Sequence, residues 1–327
     1  MHLFGPVPKP LDGARAFSAS SPICYNSRNS NPPAGNSLVF LAEPPPTAYD
    51  FRFQLFGIPI RVTPFFWLVS AFLGWQLADG LDEFMQQVAD MGERVDFDLA
   101  RIAASNPGQG VLLLMWIAAV FVSILVHELG HALAMRRYGI SSYIVLYHFG
   151  GLAVPDRGGS FVRSGAFANP PQQIAISAAG PAAQLLLAGV LITALRLSGF
   201  ALIEPLDVPY VSRLLSISEG QQITSLPLQA VIYFLLIPSI FWALLNLLPV
   251  YPLDGGQIAR ELFTLYSPRD GIRNSLILSV AAGAGVAIYA FLQQDLFLAL
   301  LFGSLAFSSY QVLQAYSGRG GGFGGPW

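Results

Sequence analysis

The sequence predicts an all-α polytopic membrane protein with about six transmembrane helices and a short membrane-associated β-strand or hairpin element. The 327-residue chain is 54% hydrophobic and 11% charged, with a mean hydropathy of +0.54, whereas soluble domains carry about 25% charged residues. Several apolar segments, separated by polar stretches, are long enough to cross a bilayer or nearly so. Two further segments combine β-branched and aromatic residues with glycine, a pattern typical of strands.

The two ends of the chain have compositions that do not predict folded structure. Residues 1–50 hold nine of the 24 prolines, with many serines and asparagines, and we expect a disordered tail. Residues 316–327 form a glycine-rich tail. The single cysteine, Cys24, excludes an intramolecular disulfide and a multi-cysteine zinc site. The absence of a basic block argues against a nucleic-acid partner.

Charged residues and prolines set the boundaries of the predicted spans. In the third span, Gly180-Pro181 predicts a kink or local unwinding. Pro249 and Pro252 should break the helix at the end of the fourth span. The predicted spans are residues 63–78, 110–135, 172–195, 228–248, 275–292 and 296–313.

Strand-like segments precede the first span and follow the second. Residues 51–62 alternate partly and predict one or two short strands, although an irregular juxtamembrane segment is an alternative. Residues 139–154 predict a strand or hairpin with a turn at Gly150-Gly151. Residues 79–109 read as an acidic loop in which residues 84–91 could form a short amphipathic helix.

A His-Glu-x-x-His motif lies near the C-terminal end of the second span. His127 and His131 fall on one helix face, so that both imidazoles can reach one metal ion, and Glu128 is placed as a general base. A charged group at the bilayer centre costs about 2.5–3.5 kcal/mol and needs a partner or a function. The alternative, a soluble core helix, predicts a polar face that this segment lacks.

The distribution of arginine predicts that both termini face the cytoplasm, in a cell (inner) membrane. Loop 79–109 has two basic residues against seven acidic ones, whereas the segments after the second and fourth spans are rich in arginine. This topology brings the His-Glu-x-x-His motif and Asp254 to a similar depth near the cytoplasmic surface. Asp254 is therefore the preferred third metal ligand, with Asp156 and His148 as alternatives on the same side.

Two imidazoles, one carboxylate and an open fourth position form the ligand pattern of catalytic zinc, with one Zn²⁺ per chain. This chemistry predicts peptide-bond hydrolysis, in which Glu128 moves a proton to the leaving amine. The depth of the site implies a substrate that is itself a membrane segment and unwinds locally, held by strand addition near residues 143–154. Candidate substrate contacts are Asn246, Gln184, Gly150 and Gly151, although Gln184 could equally form a helix–helix hydrogen bond.

Five short motifs lie between residues 56 and 260. They are His-Glu-Leu-Gly-His at 127–131, Phe-Gly-Gly at 149–151, Ala-Gly-Pro at 179–181, Asn-Leu-Leu-Pro at 246–249 and Pro-Leu-Asp-Gly-Gly at 252–256. In these motifs the chain resembles the site-2 protease family of intramembrane zinc metalloproteases.

The resemblance implies zinc bound by His127, His131 and Asp254, with Glu128 as general base. Some family members carry a PDZ domain or a CBS pair, and we expect a compact form here because the loops and the C-terminal tail are too short for either. It also implies regulated intramembrane proteolysis of a single-span membrane protein already cut by another protease. Gln184 and Gln257 depart from the family pattern, which often has Asn and Arg at these positions, and both lie outside the inferred ligand set.

Two other functions fit parts of the sequence. A catalytically inactive relative could bind or escort membrane helices, but it would not need the complete His, Glu, His and Asp set. A metal transporter would place ionisable residues along several spans, whereas here they cluster at one depth.

Overall fold

A bundle of long helices packs beside one small four-stranded sheet in the computed structural model of the chain. The structure describes residues 43–94, 96–148, 150–156, 169–202 and 220–318. Most of the two predicted tails lies outside the described residues, as do Phe149 and the part of the arginine-containing segment after the second span that holds Arg157 and Arg163.

The helices begin and end as follows. They are α1 (Pro64–Asp90), α2 (Phe97–Ala104), α3 (Gln109–Arg137), α4 (Pro170–Ser198), α5 (Leu226–Ile237), α6 (Ala243–Asn246), α7 (Asp254–Tyr266), α8 (Gly271–Leu292) and α9 (Leu296–Gly318). A 3₁₀ turn covers Gly92–Arg94, and a π-helical segment, Pro238–Trp242, joins α5 to α6.

Five helical segments of the described chain are long and apolar enough to cross a membrane, namely α3, α4, the continuous stretch Leu226–Asn246, α8 and α9. The predicted fold class, a helical polytopic membrane protein with a small β element, is confirmed. The first predicted span, residues 63–78, coincides with the first half of α1 and its N-cap Thr63, and α1 is not among these five.

The prediction of a loop starting at residue 79 was wrong, because α1 continues to Asp90. Its acidic second half keeps a helical apolar stripe, with Leu81, Met85 and Val88 buried at spacings of four and three residues. Residues 84–91 are indeed almost entirely helical, as the last two turns of α1.

The two proline signals had different outcomes. The predicted kink or unwinding at Gly180-Pro181 was wrong, since α4 runs as one α-helix through Pro181. Proline removes a single backbone hydrogen bond, and packing of α4 against α3 and α7 holds the helix together there. The predicted break after the fourth span is confirmed, because α6 ends at Asn246 and α7 begins at Asp254.

Both strand-like segments form strands of one sheet, but the predicted turn at Gly150-Gly151 was wrong, because these two glycines are the first residues of the second hairpin strand and pair with Tyr147 and Leu146. The strands are β1 (Phe51–Leu55), β2 (Ile58–Val62), β3 (Ser142–Tyr147) and β4 (Gly150–Pro155), in the order β1-β2-β3-β4. The β1–β2 and β3–β4 pairs are antiparallel, and β2 pairs with β3 in parallel. The sheet places β4 at its edge, packed against α3. Two short strands, β5 (Phe200–Ala201) and β6 (Gln221–Gln222), pair separately.

Candidate metal centre

Three side chains from two helices meet at one buried point. His127 and His131 project from α3, and Asp254 is the first residue of α7. The two Nε2 atoms are 3.0 Å apart, and the Asp254 carboxylate lies 3.1 Å from His127 Nε2 and 3.3 Å from His131 Nε2. In the described part of the chain, these are the residues whose ligand atoms lie close enough to share a metal ion.

The outer nitrogen of each imidazole faces an oxygen acceptor. His127 Nδ1 lies 2.8 Å from Gln184 Oε1, and His131 Nδ1 lies 2.8 Å from the Ile176 carbonyl. Each Nδ1 is therefore assigned the proton, which leaves a lone pair on each Nε2. Two lone pairs and a carboxylate then converge with no proton between them, an arrangement that a cation satisfies. The N, N, O donor set suits zinc.

Glycines make room for this centre. A methyl group on Gly180 would collide with the His131 imidazole and come within 2.8 Å of His127 Nε2. One on Gly130 would collide with the Ala179 carbonyl, so that α3 and α4 approach each other through small residues. Gly255 packs equally closely on the Leu247 carbonyl, which lets the start of α7 fold back and present Asp254.

Glu128 lies between α3 and the edge strand β4. Its side chain is buried, and its carboxylate accepts a hydrogen bond from the Ala153 backbone N–H. Gly151 packs directly on this carboxylate, where a side chain would collide with it. The strand thus holds the orientation of Glu128 beside the two imidazoles.

Gln184 is placed differently from the predicted substrate contact. Its side chain is fully buried, its Oε1 faces His127, and its Nε2 donates to Ser123 Oγ at 3.0 Å. Ser123 Oγ lies 2.9 Å from Ser239 Oγ in the π-helical segment. The helix–helix alternative is the one the structure supports, with His127 as one of the partners.

Sequence reasoning missed this buried chain of Ser123, Ser239 and Gln184. One signal was available, since Ser123 precedes His127 by four residues and so shares its helix face. Nothing in the sequence pattern indicates Ser239, because its position depends on the π-helical turn.

We expect Gln184→Leu to weaken Zn²⁺ binding about 10- to 100-fold, because His127 loses the acceptor that fixes its tautomer and ring orientation. Gln184→Glu should restore most of the affinity, since a carboxylate accepts the same hydrogen bond. The measurement is zinc retained by purified protein against a graded series of chelator concentrations. Leu185→Ala, on the exposed side of the same helix, is the control, and wild-type retention by Gln184→Leu would contradict this role.

Two other predicted substrate contacts, Asn246 and Gly150, both contact Trp242. The Asn246 amide donates to the Trp242 carbonyl at 3.1 Å, and Gly150, with a φ of +123°, packs against the Trp242 ring. Gln257 joins α4 to α7, through Gln173 and Ser177 on one side and the Pro252 carbonyl on the other. Of the alternative ligands, His148 ends the β3 region and Asp156 follows β4, and neither belongs to the ligand group.

Two proteins similar to this chain are named as zinc metalloproteases. The chain is 29% identical over 210 residues to a Synechocystis sp. protein with a provisional zinc metalloprotease name, covering 64% of this chain and 42% of that protein. It is 26% identical over 195 residues to a zinc metalloprotease of Methanocaldococcus jannaschii, covering 59% and 44%. The chain therefore matches less than half the length of these relatives.

The chain can also be aligned with a solved structure, the site-2 protease from Methanocaldococcus jannaschii. The alignment covers 81% of this chain and 95% of that protein, with a TM-score of 0.42 and 21% sequence identity. The sequence model of Peptidase family M50 matches residues 115–291, which is more than half of the chain and includes His127, Glu128, His131 and Asp254. The chain belongs to Peptidase family M50.

Proposed function

We propose that this chain is an intramembrane zinc endopeptidase, which hydrolyses a peptide bond within or near the transmembrane segment of a membrane-anchored protein. The observation that carries the proposal is the convergence of His127, His131 and Asp254 beside Glu128, on a helix apolar enough to cross a membrane. Membership of the M50 peptidase family and the names of the zinc metalloprotease relatives support it.

His127, His131 and Asp254 would hold the metal, which when bound lowers the pKa of a water molecule and polarises the substrate carbonyl. Glu128 takes a proton from the attacking water and delivers it to the leaving amine. The hydrogen bond from Ala153 keeps this carboxylate in place, so that no reorientation is needed at the moment of proton transfer.

The substrate is proposed to lie extended along β4, the edge strand of the sheet. An edge strand offers backbone groups to a further strand, and β4 already touches Glu128 through Ala153 and Gly151. In this arrangement Gly150, Gly151 and Asn246 contact the substrate backbone. Gln184 is too deeply buried for such a contact and is proposed to position His127 instead.

The proposed substrate is a single-span membrane protein that another protease has already shortened. His127 lies ten residues before Arg137, the last residue of α3, or about 15 Å from the end of the helix. A bond at this depth is accessible only to a chain that enters the bilayer.

The test compares membranes of cells that express the wild-type protein or Glu128→Gln. We expect short, single-span membrane stubs to accumulate with the variant and to disappear with the wild type, because the amide cannot accept the proton while the three metal ligands remain. The stubs, identified by mass spectrometry, would name the substrate.

Zinc content of the two purified proteins is the control, and it should be equal. Equal zinc with no difference in membrane stubs would contradict proteolysis and favour the second candidate, a relative that binds or escorts membrane helices without cutting them.

We further propose that α1 also enters the membrane and that both termini face the cytoplasm. The first half of α1 exposes large apolar side chains, among them Phe65, Phe72 and Trp75, and its 27 residues span about 40 Å. Arginine in the segments after α3 and α6 supports this orientation.

Orientation can be read from Cys24, the only cysteine of the sequence. A membrane-impermeant maleimide should label it only after the inner membrane is permeabilised. The control, Asp90→Cys in a Cys24→Ser background, lies at the opposite end of α1 and should be labelled without permeabilisation. Labelling of Cys24 in intact spheroplasts would reverse the proposed topology.

A further inference from the structure

An apolar cavity of about 160 Å³ lies between α1, α3, the β3–β4 hairpin and the π-helical segment. Its inner wall is Trp116, whose indole N–H donates to the Ser70 carbonyl at 3.0 Å and whose ring meets Phe234 edge-on. Gly74 lies so close beneath this ring that a side chain there would collide with it. These contacts hold the Trp116 ring in place, so the shape of the cavity is set by the fold.

The cavity is lined by residues of α3 and β4, the two elements that hold Glu128. Ile124, which lines it, precedes Glu128 by one helical turn on α3. Gly150 also lines it, and the next residue, Gly151, packs on the Glu128 carboxylate. The cavity thus reaches Gly150 at the start of β4, one residue away from the strand position that packs on the proposed general base.

The lining carries no charge at neutral pH. Burial, together with the nearby Glu128 carboxylate, raises the pKa of Tyr147 to about 12, and burial lowers the pKa of His148. The remaining lining is almost entirely aliphatic and aromatic. A charged or strongly polar group would lose its hydration here without gaining a partner.

We infer that this cavity receives one apolar side chain of the substrate, at a position adjacent to the scissile bond. The inference rests on the proposed function. A cavity of about 150 Å³ with an apolar lining holds a benzene molecule, so this one has room for a leucine or phenylalanine side chain. In strand addition, alternate side chains of the added strand enter pockets and give specificity.

Gly150 leaves space in the lining of this subsite. Its φ of +123° is one that L side chains rarely adopt, and a methyl group there would come within 3.2 Å of Trp242. Val120 and Ile124 line the α3 side of the cavity, and their size sets how large a substrate side chain fits.

The test fills the cavity and measures side-chain preference. The full chain, purified with zinc and reconstituted in bilayers, is given substrates that carry Ala, Leu, Phe or Asp at each position around the scissile bond. The wild type should prefer Leu or Phe over Ala and Asp at one position. Val120→Phe should lower kcat/KM for the Leu and Phe substrates at that position at least tenfold, while the Ala substrate keeps its rate, because the new ring would fill the space that receives the larger side chains. One extra or missing methylene in a pocket already changes selectivity by about 10- to 200-fold.

Val122→Phe is the matched control, because Val122 lies on the same helix but is 41% exposed on its outer face. It should leave the preferences unchanged. A uniform loss across all substrates, including Ala, or an unchanged preference in Val120→Phe would overturn the inference.

A binding measurement separates this inference from the proposed function. A synthetic membrane peptide of leucine and alanine with one benzoylphenylalanine is irradiated with the Glu128→Gln protein, and the crosslinked residue is identified by mass spectrometry. Crosslinks to the cavity wall that are lost in the Val120→Phe form support the subsite even if no cleavage is found. Crosslinking of a photoactivatable phospholipid in the cavity, undiminished by excess peptide, would assign the cavity to lipid and overturn the inference.

Discussion

Replacing Gly180 by alanine should remove the bound zinc and abolish proteolysis. The added methyl group would collide with Nε2 of the His131 imidazole and press on His127 Nε2. These are the two nitrogen atoms that face the metal position. Neither ring can turn away, because Ile176 and Gln184 hold their outer nitrogens. We expect zinc per chain to fall about tenfold or more and activity by at least about a hundredfold, the cost of a displacement near 1 Å.

Gly189→Ala provides the control for Gly180→Ala. Gly189 lies on the same helix, and a methyl group there would meet no atom within 4 Å. Elemental analysis and a cleavage assay on both purified variants make the comparison. A Gly180→Ala protein with full zinc and full activity would show that the imidazoles are not fixed as described.

Replacing Gly151 by alanine should have a different result, with proteolysis lost and zinc retained. The methyl group would collide with the Glu128 side chain, while the three proposed ligands are untouched. A displaced general base lowers kcat by about a hundredfold. The measurement is kcat together with zinc content, and Gly285→Ala in α8, which faces open space, is the control.

Together the two glycine variants test whether metal binding and proton transfer depend on separate parts of the site. Loss of zinc in both variants would mean that Gly151 supports the metal centre as a whole. Retained zinc with lost turnover in Gly151→Ala alone would separate proton transfer by Glu128 from metal binding.

The predictable part of the site is the part that local geometry determines. His127 and His131 share a helix face in any α-helix, so their spacing predicts a metal-binding pair directly. Asp254 needed an argument from membrane depth, because 123 residues separate it from His131. The structure brings all three within metal-binding distance.

The unpredictable part depends on contacts between distant segments. Gln184, Ser123 and Ser239 come from three helical segments, and their hydrogen-bonded chain exists only after these have packed. The prediction ended the first helix too early because it was based on hydropathy, which shows only where the sequence becomes polar. The helix itself continues for as long as its backbone hydrogen bonds do, to Asp90. Pro181 was predicted to distort its helix, but α4 continues through it. Packing against neighbouring helices compensates for the one backbone hydrogen bond that proline removes.

If substrates pair with β4 as proposed, the length of this strand limits which membrane segments can be cleaved. The strand has six residues, Gly150–Pro155, equivalent to about 20 Å of extended chain. A helix that pairs along it must exchange its internal hydrogen bonds for bonds to the strand over the same number of residues, and no backbone group can be left unpaired in the bilayer. The strand would thus select substrates by the stability of their helices. Segments that can unwind over about two turns would pair with it and be cleaved, whereas more stable helices would remain intact. Selection would then depend on the local stability of the substrate helix as much as on its sequence.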